Sequence, residues 1–259
     1  MMHSDRRTPD PFSEARHEVE RASCHYYYTP LQEGIDARTK RLVIERCEWF
    51  IRGPRVLDLG FVDGNWTDVA LSRGASVDIV EGAQRHVEHA RARYADRTDV
   101  RIVHALFQEF VPDCTYDTVI AGDMLRYVPD DAEFLRCVRG WLAPGGRLIV
   151  TVPNRRSMHR RVGALLGIER NPDEPNVRDR QVGNRRSYDR YALRDALLAA
   201  GFEIQMVRGC FLKPLSSAQM QDWPDELLRA FLLLGEELED YCWFLYALAS
   251  SPAAPDEPR

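Results

Sequence analysis

Several absences bound what this 259-residue chain can be. No apolar run approaches the roughly 18 residues that cross a bilayer, so no membrane partner is expected. Near its start no charged, apolar and small-residue stretches combine into a signal peptide, which makes the cytoplasm the expected location. Cysteines are few and scattered (Cys24, Cys47, Cys114, Cys137, Cys210 and Cys242), without a Cys-x-x-Cys pair. They read as free thiols, mostly buried, and no metal site is expected. Basic residues are outnumbered, 35 against 40, for a net charge of −5. A nucleic-acid partner usually meets a basic face, so none is expected. What remains is an apolar share of 44%, ordinary for a folded domain with a full core.

The periodicity divides the chain into five parts. Residues 1–52 form an N-terminal tail, loose to about residue 20, and then a helical lid. The lid holds an aromatic cluster, Tyr26-Tyr27-Tyr28, and one helix face with Ile35, Leu42, Ile44, Cys47, Trp49 and Phe50. Residues 53–153 alternate short strands with helices. Strands are expected at 56–59, 76–80, 100–103, 115–121 and 147–152, with helices at 65–73, 83–95 and 130–142. Pro144-Gly145-Gly146 reads as a turn. Residues 154–190 break the rhythm and are rich in arginine. Residues 191–250 return to helices at 191–200 and 224–238 and strands at 202–207 and 241–249. Residues 251–259 are a proline-rich tail, expected to be disordered.

Alternating strands and helices predict right-handed crossovers and a parallel α/β sheet. Such sheets bind ligands beyond the carboxyl ends of their strands. Asp58, Glu81, Asp123 and Asn154 fall at those ends.

A strand, a glycine turn, a helix and then an acid closing the next strand is a nucleotide-binding layout. The turn is Gly60-Phe61-Val62-Asp63-Gly64 and the acid is Glu81, whose carboxylate could accept from two ribose hydroxyls. A dinucleotide loop wants Gly-x-Gly-x-x-Gly, so that amides can approach a pyrophosphate. Here Val62 stands in the middle position. Asp58 and Asp63 flank the turn and would repel a pyrophosphate, by about 1 kcal/mol or more each in a wet site. The same charges attract a cationic amino-acid group.

Four segments then resemble the motifs of class I S-adenosylmethionine-dependent methyltransferases of the small-molecule type. They are Val56-Leu57-Asp58-Leu59-Gly60 with Gly64, Val80-Glu81-Gly82, Tyr116–Ile120 with Met124–Val128, and Trp141–Val150. They run in the family's order and cover about residues 50 to 155. The resemblance implies a Rossmann-like, doubly wound, seven-stranded sheet. It would be mostly parallel with an antiparallel last strand, and have helices on both faces. It implies S-adenosyl-L-methionine as cofactor. Asp58, Gly60, Phe61 and Gly64 would surround the methionine part, and Glu81 with Gly82 the ribose. Ala105, Leu106 and Phe107 would lie by the adenine, Gly122 and Asp123 beneath the sulfonium, and Tyr28 in the lid. Two departures stand out. Val62 replaces the motif's middle glycine, and Leu125-Arg126-Tyr127-Val128 lacks the histidine that many relatives carry there.

Candidate general bases are Asp123, Tyr127 and His159. His86 and His89 read as solvated helix residues. Between Asn154 and Tyr191 ten arginines face five acids. Arg155, Arg185 and Arg186, with Tyr188, are therefore candidates for binding an anionic acceptor. The expected activity is methyl transfer to an oxygen or nitrogen of a small, anionic metabolite. An RNA- or protein-modifying enzyme, or a non-catalytic cofactor-binding protein, would share the core. A homodimer is compatible with the sequence.

Overall fold

A computed structural model describes residues 11–27, 34–168, 171, 173–175 and 177–252. Seven strands form one sheet: β1 Arg55–Leu59, β2 Ser76–Glu81, β3 Val100–His104, β4 Tyr116–Gly122, β5 Leu142–Pro153, β6 Glu203–Cys210 and β7 Phe244–Ser250. Their order is β3-β2-β1-β4-β5-β7-β6. The first five are parallel, while β7 runs antiparallel between β5 and β6. The strand order reverses between β1 and β4, so the mouths of those two strands open side by side. The central strands are apolar on both faces; Val56, Leu57, Val119, Ile120, Leu148 and Ile149 are fully buried. A sheet covered on both sides requires this pattern.

Helices α3 (Asn65–Ser72), α4 (Gln84–Arg93) and α5 (Asp131–Trp141) follow β1, β2 and β4. Helix α5 begins where the Asp130 carboxylate accepts from the Glu133 amide at 2.8 Å. It buries Phe134, Leu135, Val138 and Trp141 at i, i+1, i+4 and i+7. Pro144-Gly145-Gly146 falls within β5 as an irregularity. The register jumps there from Tyr116↔Leu142 to Thr118↔Arg147. Other boundaries also differ from expectation. The last helix, α9, spans only Asp225–Leu234, and the last strand starts at Phe244 because Glu239–Tyr241 coils into a 3-10 turn.

Two stretches expected to be irregular are helical. Ser13–Tyr27 forms α1, which presents the small residues Val19, Ala22 and Ser23 to the body of the protein. The arginine-rich segment contains α6 (Met158–Leu165) and α7 (Val177–Gln181) before α8 (Arg190–Ala199). Helix α2 spans Ile35–Cys47, and Trp49, placed on its apolar face by periodicity, is 68% exposed in the 3-10 turn that follows. The cysteines are free; Cys47, Cys210 and Cys242 are buried, whereas Cys24 and Cys137 are exposed. Among the described residues no helix is long and apolar enough to cross a membrane.

Leu135 is fully buried between α5 and the sheet. Leu135→Ala is expected to lower unfolding free energy by about 2–5 kcal/mol through lost burial and a residual cavity, measured by urea denaturation.

Candidate functional site

Beyond the carboxyl ends of β1, β2 and β4 lies a cavity of about 1170 Å³, its open mouth included. That is ample for a ligand with room beside it. Its floor is the loop between β1 and α3, together with Glu81, Gly122 and Asp123. Helices α1 and α2 cover it from outside.

The loop turns through the left-handed region three times in five residues, at Gly60 (φ 86°), Val62 (φ 44°) and Gly64 (φ 75°). Gly60 needs its glycine twice over, because a Cβ there would also meet Met124 Sδ at 2.6 Å. Val62 is β-branched and strained in that region, at a cost of about 1–3 kcal/mol. The motif's missing glycine therefore has a backbone consequence: this loop adopts the glycine-like conformation without the glycine.

Glu81 holds the loop in place. Its Oε2 accepts from the Phe61 amide at 2.9 Å, and its Oε1 from the Ala83 amide at 2.7 Å. His86 Nδ1 lies 3.3 Å from Oε2. Burial opposes the charge, but His86 and the two amides outweigh it and hold the carboxyl below the usual range. Oε1 keeps a second acceptor site, whereas Oε2 has both the Phe61 amide and His86 beside it. Asp58 behaves in the opposite way. It is 1% exposed and accepts from Thr67 at 2.6 Å, while its Oδ1 has no partner among the described residues. Burial pushes its carboxyl up to about 7. Thr67 offsets this in part, and Asp63, Glu81 and Asp68 add to it.

At the end of β4, Asp123 sits at φ 63°, fixed by its amide donating to the Thr151 carbonyl (2.8 Å) and hydroxyl (3.1 Å). Its Oδ2 accepts from Arg126 at 2.5 Å, and Lys40 of α2 lies 4.0 Å from the same oxygen. Arg126 also stacks over the Tyr127 ring, 4.7 Å from its centre. Trp66 packs edge-on at Gly122, where a Cβ would stand 2.4 Å from Nε1.

The structure thus gathers Gly60, Phe61, Glu81, Gly122, Asp123, Tyr127 and Arg185 at the cavity. Other candidates take different places. Asp58 lies behind the loop rather than on the cavity wall, and Gly64 packs against the rings of Phe61 and Tyr94. Gly82, Ala105, Leu106 and Phe107 are not among the lining residues. Phe107 instead packs on Phe134, its ring centre 5.5 Å away. Tyr28 lies outside the described residues.

The structure places His159 away from the cavity and engages most of the candidate acceptor-binding residues within the protein. His159 does not line the cavity; its amide donates to the Lys213 carbonyl. Burial, with Lys213 and Arg160 nearby, pushes its imidazole down to about 3. Arg155 is spent on Asp189 (2.5 Å). Arg186 donates to the carbonyls of Val128 and Pro129 at 2.5 and 2.6 Å. The Tyr188 hydroxyl donates to Asp131 at 2.5 Å. Arg185 reaches the cavity rim, but there it pairs with Glu18 of α1. These side chains tie the arginine-rich segment to the body. The periodicity gave no sign of Lys40, Val43, Trp66, Thr151 or Phe244, which also line the wall. On α2 it marked a packing face, and only the tertiary fold shows what that face meets.

The model of the family described as "Methyltransferase domain" matches residues 31–207. A ubiquinone biosynthesis O-methyltransferase of Methylocella silvestris is 32% identical over 111 residues, 40% of this chain and 42% of that protein. The chain thus spans under half the length of that relative. A trans-aconitate 2-methyltransferase of Methylobacterium radiotolerans is 28% identical over 67% of this chain and 68% of its own length. Among solved structures, the 1,6-didemethyltoxoflavin-N1-methyltransferase of Burkholderia thailandensis superposes with a TM-score of 0.58. It shares 18% identity across 96% of this chain and 93% of that one, a likeness of fold.

The raised carboxyl of Asp58 has a stability consequence. Its folded-state value of about 7 exceeds the ordinary aspartate value of 3.8. Between these two values the native state therefore binds more protons than the unfolded chain, so this group's contribution falls as pH rises. Asp58→Asn removes that slope. The variant's melting temperature relative to the parent is expected to climb from pH 4 to pH 7 and then level off. A difference that stays flat over that range would contradict the assignment.

Proposed function

The chain belongs to the class I S-adenosylmethionine-dependent methyltransferases, and from that membership we propose that it methylates an oxygen or nitrogen of a small metabolite in the cavity at the ends of β1, β2 and β4. The observation that carries the reading is the loop at Gly60 fastened to Glu81, with acids and no phosphate-binding glycine pattern around it. The fit to the family's cofactor rests on the acids that line the cavity, Asp63, Glu81 and Asp123. A ligand carrying positive charge and donor groups suits such oxygens.

In this reading S-adenosylmethionine supplies an electrophilic methyl carbon on a sulfonium. Glu81 offers the remaining acceptor site of its Oε1 to a hydroxyl donor, and Gly60 allows close backbone approach. Asp63 supplies negative charge near the cationic portion. Helices α1 and α2 exclude water, and Trp66, Tyr127 and Phe244 hold the acceptor in line for displacement. The arginine-rich segment braces one rim through Arg185 and Glu18.

Calorimetric titration with S-adenosylmethionine, S-adenosylhomocysteine and NAD tests the cofactor. The first two are expected to bind and NAD is not; failure of the first two would overturn the reading. Glu81→Ala removes the anchors of the loop and of the α4 entry as well as the acceptor oxygens, and is expected to weaken S-adenosylhomocysteine at least about tenfold. Binding without turnover on any metabolite of a broad panel would favour a non-catalytic role.

A further inference from the structure

Beside the strand-end cavity lies a second hollow, a groove of about 1180 Å³ with its open side included. One wall is α1, with Arg21 and Cys24. The other is the end of α7 and the turn after it, with Arg180, Gln181 and Asn184. Glu18, Ala22, Gly183 and Arg185 line both hollows, so they form the partition between them. Two small residues face each other there: a Cβ on Gly183 would stand 3.5 Å from that of Ala22. Glu18 and Arg185 close the partition with an ion pair whose side chains are 42% and 38% exposed. A pair so open to water holds weakly, so the partition can part.

The groove is basic in a chain that is acidic overall. Among the described residues its charged groups are Arg21, Arg180 and Arg185 against Glu18. Glu18 neutralises Arg185. The side chains of Arg21 and Arg180 are exposed and have no ion pair or hydrogen bond among the described residues. The acids next to them in sequence are engaged elsewhere. Glu20 Oε1 accepts from the Gln84 amide at 2.7 Å, and Asp179 accepts from Asn184 at 2.8 Å and pairs with Arg160 at 3.3 Å. The turn after α7 is fixed in place, its Asn184 amide donating to the Asp179 carbonyl at 2.8 Å and its Arg185 amide to the Arg126 carbonyl at 2.9 Å. Two cations thus stand unmatched along one built groove.

A single carboxylate would balance one of the two. A phosphate monoester carries nearly two negative charges at neutral pH and three acceptor oxygens, and the planar arginine fork matches it. Building on the methyltransferase reading, we propose that the methyl acceptor is a phosphate monoester. Its phosphate rests in the groove on Arg21 and Arg180, with Gln181 offering an amide donor. Its apolar body passes between Ala22 and Gly183 into the cavity, toward Val43, Ile44 and Phe244. Arg155 and Arg186 are engaged within the protein, so the anion falls to two other arginines.

The test is calorimetry on the full chain, with and without saturating S-adenosylhomocysteine. The titrants are hexyl phosphate, hexyl sulfate and hexanol at about pH 8, where the phosphate is a dianion and the sulfate a monoanion. Hexyl phosphate is expected to bind about tenfold more tightly than hexyl sulfate, the usual scale for a charged hydrogen-bonded pair. The double variant Arg21→Gln, Arg180→Gln is expected to abolish that preference. Melting curves check that it folds, with the methionine pair as substitute if it does not. Butyl, hexyl and octyl phosphate are expected to bind progressively more tightly, by about tenfold for each two methylenes buried. On the parent protein, hexyl phosphate is expected to slow alkylation of Cys24, which lines the groove, with the exposed Cys137 as reference. A preference that is absent or survives loss of both arginines, an affinity indifferent to chain length, or an unprotected Cys24 overturns the proposal. Failure to bind S-adenosylhomocysteine sinks the methyltransferase reading instead, and the phosphate–sulfate comparison on the free chain still decides the role of the groove.

Discussion

One buried carboxylate joins the two halves of the strand-end floor. Glu81 closes β2, yet its oxygens receive the amide of Phe61 in the loop after β1 and that of Ala83 at the start of α4. Loop, strand end and helix entry are therefore one hydrogen-bonded unit. The loop needs such a fastening, because Val62 holds a left-handed conformation that costs a β-branched residue energy. Strain of this kind persists only where surrounding contacts over-determine it. Asp58, nine residues before Thr67 and with Glu81 among the acids that oppose its charge, shows the other side of the arrangement. It has one hydroxyl partner where Glu81 has two amides and a nearby imidazole, and its charge is correspondingly disfavoured. The floor thus holds one carboxylate satisfied by the protein and another that is not.

The arginine-rich segment shows how the same side-chain chemistry serves two ends. A guanidinium fork suits a ligand carboxylate, and it suits an aspartate or a row of carbonyls equally well. Here Arg186 collects the carbonyls of Leu125, Val128 and Pro129, while Arg155 and Arg160 hold Asp189 and Asp179. The segment after β5 is thereby sewn to the loop after β4, with a bridge between Asn154 and Tyr188 at its base. These three arginines are spent on structure.

Much of the fold was legible because its signals are local. Short apolar runs such as Val56–Leu59 and Tyr116–Ile120 sit between turns and helical periods, and each became a strand of the expected sheet. The positions of the acids at the ends of β1 and β2 were legible for the same reason, since a motif is a local pattern. Helix α1 was not. It faces the cavity with Val19, Ala22 and Ser23, which are too small and too polar to register as an apolar stripe. The wall contributed by α2 was illegible for a different reason. Lys40 and Asp123 stand more than eighty positions apart, and only packing brings them within 4.0 Å. His159 failed as a candidate because nearness in sequence to the end of β5 does not settle direction, and the chain turns its backbone toward Lys213.

Asp123 marks the limit of reading chemistry from position. The end of β4 is where a base could stand, and Asp123 does line the cavity. A base must also present a lone pair to the proton it takes. Asp123 Oδ2 is committed to Arg126 and shared with Lys40, while Oδ1 is shut away from solvent. The Tyr127 ring lies under the Arg126 guanidinium, and His86 is turned to Glu81. Each titratable group on this side of the wall is thus already engaged by a neighbour. A site so arranged favours an acceptor that arrives as a competent nucleophile, a neutral amine or an ionised oxygen, and leaves the protein the tasks of orientation and water exclusion.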